Sequence, residues 1–154
     1  WHASLVPRPP ISDDATWAFH VLAGRKRLAD FGARAKQYAA DHQPPGTPWE
    51  WPRRGDFDVF WGAPLAVLIA ARRGHPEGPF DCCRAGQNLA LLAHARGLGT
   101  CWLGSALPWL NSAEGREATG LPEGYEVAVA MVVGHPAEST PGRSAPRPVV
   151  TWCE

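Results

Sequence analysis

Apolar residues recur at two different spacings along this chain, and the changes from one to the other mark out its elements. "TWAFHVLAG", Thr16 to Gly24, alternates as a half-buried strand does and ends on a glycine. Immediately after it, Leu28, Phe31, Ala35 and Tyr38 fall three or four apart, which predicts a helix over Arg25 to Asp41 with one apolar face. Leu65 to Ala71 is a continuous apolar run of strand length that follows a turn at Gly62 to Pro64. A second helix is predicted from Asp81, read as its N-cap after Pro79, to Arg96, with Gly97 in the left-handed closing position. Its apolar residues Leu89 to Ala93 are consecutive, so it is expected to be covered on most sides. "LGTCWLG" reads as a short strand, Asn111 to Ala118 as a short helix, and Tyr125 to Gly134 as a strand with an almost continuous apolar centre.

The order is strand and helix in alternation, closing on a strand, which defines an α+β or α/β domain. No internal repeat and no second domain is visible, so residues 1–154 are read as one domain. In the tail only "PVVTW" has strand character, and it lacks an evident partner within so short a chain; pairing with another subunit is expected. The arm Trp1 to Ala15, with "VPRPPISDD", reads as irregular. The proline-rich loop "HQPPGTPWEWPRRGD" forms neither element and is the candidate substrate lid, with Trp49 and Trp51 as stacking residues.

Composition narrows the partners. Fifteen basic and fifteen acidic side chains cancel, which gives no electrostatic reason to expect nucleic acid or an acidic membrane. The apolar run Ala63 to Ala71 falls far short of the ~20 residues that cross a bilayer. Four cysteines, two of them adjacent, make no disulfide framework; reduced thiols and a cytoplasmic protein are expected. The chain opens on Trp1 and not on Met, so a preceding segment is expected. Eight tryptophans suit a buried core, a subunit interface or a site for a planar ligand.

Most motif readings fail. "GLGTCW" lacks the third glycine of a dinucleotide fingerprint and follows a helix where that motif follows a strand. Neither a nucleophile elbow nor a phosphate-binding loop is present. Cys82 and Cys83 with His75 or His94 match no metal spacing, so buried helix cysteines are expected and no metal site.

Four blocks carry a resemblance: "FDVFWGAPLAVLIAA", "FDCCRAGQNLALLAHARGLGTCWLG", "GLPEGYEVAVAMVVGHPAE" and an arginine before "VVTW". In order and spacing, from Phe57 to Trp152, they resemble the nitroreductase-like flavoprotein family. The resemblance implies an α+β fold with a central mixed sheet flanked by helices and a C-terminal strand extended toward a partner subunit. It also implies a homodimer with flavin mononucleotide (FMN) at its interface, reduced by NAD(P)H and reoxidised by a small organic acceptor. The helix before "GLGTCWLG" would pack at the dimer centre. Trp102, Leu103, Gly104 and Ser105 would lie against the flavin ring, and no protein side chain would act as catalyst. Arg147, with Arg143, would hold the phosphate. The family's arginine- and serine-containing opening has no counterpart before Trp17. Asp13 to Thr16 stand where its Asn-containing loop is found, leaving Asp13 to accept from the flavin imide. Two other readings follow from these departures: a non-catalytic scaffold that keeps the fold, or one subunit of a hetero-oligomeric flavin oxidase.

Overall fold

The computed structural model describes residues 16–43, 50–138 and 148–153. Four strands form one sheet in the order β1-β2-β4-β3, with β1 Trp17–Ala23, β2 Leu65–Arg72, β3 Gly99–Trp102 and β4 Tyr125–Gly134. Every pairing among the described residues is antiparallel. The parallel strand that would make the sheet mixed is therefore not among them. Residues 148–153, where a strand was expected, form none, and Val149 and Trp152 lie exposed.

Side chains of alternate residues on β2 feed two separate cores. Ala66, Leu68 and Ala70 face helix α1, Arg25–Asp41, while Val67, Ile69 and Ala71 face helix α2, Gly78–His94. β4 keeps this alternation only by a bulge: Ile69 pairs with Val129 but Ala70 with Val127, so Ala128 is the extra residue. Without that residue, Val127 and Val129 could not serve opposite cores.

α1 has the limits its apolar spacing predicts, and Leu28, Phe31 and Ala35 are buried on the expected face. α2 begins at Gly78, three residues before the expected cap, and ends at His94. Asp81 does not cap it. The carboxylate is buried in the first turn, where it accepts from Thr16 Oγ1 at 3.3 Å and from Arg84 at 2.7 Å. Gly97 does close the turn after the helix with φ +70°. Within one chain α2 is covered on one side only. Cys82, Ala85, Gly86 and Ala93 are buried, whereas Phe80, Gln87 and Leu91 face outward.

The expected single helix around Asn111 is two. α3, Leu107–Leu110, is followed by α4, Ala113–Thr119, whose N-cap Ser112 accepts from Gly115 N at 3.0 Å. Trp109 on α3 is fully buried, 5.4 Å from Phe31, with Arg34 stacked 5.3 Å from its ring. Arg34 also donates to Glu114 at 2.7 Å, and that hydrogen bond holds the Glu114 carboxyl below its usual range. A depressed pKa contributes stability that is complete above the ordinary glutamate range and lost as pH falls through the lowered value. Glu114→Gln is therefore expected to melt slightly below the parent at pH ~6 and above, with the difference closing as pH falls through the lowered Glu114 value.

Between α3 and β4, Asn111 places its side-chain amide where a strand would lie. It donates to Val127 O at 2.9 Å and accepts from Val127 N at 2.8 Å, as one peptide unit of a neighbouring strand does.

Candidate cofactor site

The turn that leaves β3 brings bare backbone and open space together. β3 pairs with β4 from Gly99↔Gly134 to Trp102↔Met131, and Leu103 N extends the ladder by a 2.8 Å bond to Ala130 O. There the chain departs from the sheet. The Leu103 side chain turns into the core beside α1 and is 2% exposed. Trp102 takes the opposite face, against α2. A Cβ built on Gly86 would stand 2.7 Å from the Trp102 ring and 3.2 Å from Val129, so a glycine at 86 is what leaves room for the indole. The rest of that indole is open to solvent.

Gly104 follows, exposed, and a Cβ built there would meet nothing within 4 Å. Its carbonyl accepts from Leu107 N at 3.3 Å. Among the described residues neither the Gly104 N–H nor the Ser105 N–H has a hydrogen-bond partner. Two unsatisfied donors beside a side-chain-free surface suit the polar edge of a planar ring. Of the four expected contact residues, Gly104 and Ser105 lie on this exposed turn, Trp102 packs on α2 and Leu103 in the core.

Asp13, Trp49, Arg143 and Arg147 lie outside the described residues. Trp51 lies in a short 3₁₀ turn, half-buried against the α1-side core and 5.4 Å from Phe57. It is packed as a core aromatic there, which is not the free stacking face the lid reading required. Sequence reasoning missed Asp81 as a positioning group. Its carboxylate ties α2 to Thr16, whose carbonyl in turn accepts from Arg72 N at 2.8 Å, fixing the residue that precedes β1.

Among the described residues no group of three or more His, Cys, Asp or Glu could hold a metal ion, and no helix is long and apolar enough to cross a membrane. Cys82 is fully buried, and burial pushes its thiol up to about 12, with the neighbouring Cys83 and Asp81 adding smaller effects. Because the thiolate is the reacting species, Cys82 is expected to resist alkylation at pH 8, while the exposed Cys83, Cys101 and Cys153 are modified; mass spectrometry before and after denaturation checks this.

The molecule is thus an α+β fold whose sheet carries helices on both faces, with an exposed glycine turn at the end of its β3 edge. Residues 15–135 match the model of the Nitroreductase family, and the chain belongs to that family. Its fold recurs in solved structures. A nitroreductase with bound FMN from Bacteroides fragilis superposes with a TM-score of 0.84 at 19% identity, covering 99% of this chain and 83% of that one. An FMN-dependent nitroreductase from Clostridium difficile gives 0.74 at 20%, covering 97% and 83%. A putative NADH dehydrogenase/NAD(P)H nitroreductase from Bacteroides thetaiotaomicron gives 0.62 at 21%, covering 93% and 73%. No curated protein is similar enough in sequence to match.

Proposed function

We propose that this protein is an FMN-dependent oxidoreductase that uses NAD(P)H to reduce a small organic acceptor, working as a homodimer. The observation that carries the reading is the Gly104–Ser105 turn, with two unpaired N–H groups beside space that no side chain fills. Family membership supports it, as do relatives of the same fold that hold FMN. FMN, when bound, would supply the redox chemistry between a nicotinamide donor and a second substrate. The chain's own contribution is to bind, orient and polarise. Donors at Gly104 and Ser105 stabilise negative charge at the ring edge, and Arg147 with Arg143 neutralises the phosphate.

The dimer part of the proposal draws on two open surfaces. α2 leaves Phe80 and Leu91 outward, each 59% exposed, and the outer edge of β3 takes no strand among the described residues. A second copy's α2 would cover the first. Its 148–153 segment would add a parallel strand to β3 and make the sheet mixed. Free thiols suit a cytoplasmic setting.

Purified protein supplied with FMN is expected to be yellow and to bleach on addition of NADH or NADPH. Arg147→Ala is expected to weaken FMN retention about tenfold or more, the scale of one lost charged contact, while Arg25→Ala leaves it unchanged. A colourless protein that takes up no FMN would leave the fold as a scaffold. Colour only on co-expression with another chain would make it one subunit of a hetero-oligomer.

A further inference from the structure

A second cleft, of about 420 Å³, opens where the top of the sheet meets the start of α1, lined by Arg25, Trp61, Pro64, Cys101, Val132 and Gly134 among others. None of its described lining residues is acidic. One of them breaks a backbone rule. Trp61 has φ +54°, the one positive value at a non-glycine among the described residues, and a bulky side chain there is strained.

The surrounding loop enforces that conformation. Asp58 accepts from Phe60 N at 2.9 Å and from Gly62 N at 2.6 Å, so its carboxylate grips the backbone on both sides of Trp61. Arg25 donates to Gly62 O from across the cleft. Phe57 meets the indole edge-on at 5.7 Å. Held this way, the indole is 62% exposed over the cleft. Strain that places a large aromatic ring in solvent does nothing for packing.

The charge is equally out of place for stability. Arg25, Lys26 and Arg27 occupy the first turn of α1 with no acidic residue among them, although a helix start disfavours cations. All three are exposed, and none makes an ion pair with a described residue. An aromatic platform beside a guanidinium is a recognition pair for a flat ring that bears an anion.

We propose that the cleft between Trp61 and Arg25 binds a planar aromatic anion, its ring on the Trp61 indole and its carboxylate or phosphate on the Arg25 guanidinium. This site is separate from the Gly104 turn and does not depend on the flavin reading.

Calorimetric titration of the purified protein with AMP, adenosine and inorganic phosphate tests it. AMP is expected to bind at least about tenfold more tightly than adenosine or phosphate, since it alone offers both ring and charge. Trp61→Gly is expected to lower AMP affinity about tenfold while melting no lower than the parent, because glycine relieves the positive φ. Arg25→Gln is expected to bring AMP down to the affinity of adenosine. The proposal is overturned if AMP and adenosine bind alike, or if both variants bind AMP as the parent does. It is equally overturned if the protein takes up one FMN per chain and Trp61→Gly and Arg25→Gln weaken that FMN as much as they weaken AMP, which would make the cleft part of the flavin pocket. Heat that tracks dissociation of a dimer would make the cleft an interface instead, and would overturn the proposal as well.

Discussion

A Gly115→Ala chain is expected to lose about 3 kcal/mol of stability and to melt about 6–12 °C below the parent. Gly115 sits inside α4, where alanine would ordinarily gain about 1 kcal/mol in helix propensity. The surroundings reverse that sign. A Cβ at 115 would lie 1.9 Å from Trp109 O, 2.7 Å from Trp109 C and 3.0 Å from Leu110 Cα. All three atoms are main chain, so no side chain can swing aside. The approach is this close because α3 turns into α4 within two residues, with Ser112 N donating back to Trp109 O at 2.9 Å. Relief requires moving the backbone that seats Trp109, the largest fully buried side chain. Thermal melts followed by circular dichroism decide it: a variant that melts with the parent would mean the two helices do not meet this tightly.

The second large effect separates binding from folding. Gly104→Leu is expected to leave the melting temperature of the FMN-free protein within about 2 °C of the parent, because a side chain at 104 enters open space. The same substitution is expected to weaken FMN binding between about tenfold and a hundredfold, the cost of forcing a side chain into space the ring requires. FMN titration by fluorescence quenching, alongside the melts, reads both. A variant that unfolds even without ligand, or one that retains FMN in full, would remove this turn from the flavin site.

Much of the layout was legible because local spacing and burial agree. α1 was bounded correctly since Gly24 and the residues after Asp41 punctuate a clean three-and-four repeat. β2 and β4 read as strands because they are buried on both faces and therefore apolar throughout. Failures came where a distant residue decides. Asp81 resembled a cap, yet its carboxylate serves Thr16, 65 positions away. α3 has four residues, too few for any period to show. The cover expected on most sides of α2 is supplied on one side by the chain itself, because a chain of this size offers one sheet face for it to pack on. In the candidate site, Gly104 was named from its motif. Gly86, Gly115 and the left-handed Trp61 were not, because what a glycine must clear or a loop must strain against is known only from the neighbours the fold brings in.

The Asn111 amide has a consequence for how the sheet can grow. By standing in for a strand at Val127, it occupies the β4 edge beyond the end of β3, so on that flank a visiting strand is offered Gly99–Trp102 as its template. Four rungs span about 13 Å. Runaway edge-to-edge stacking on that flank is thereby denied a long template.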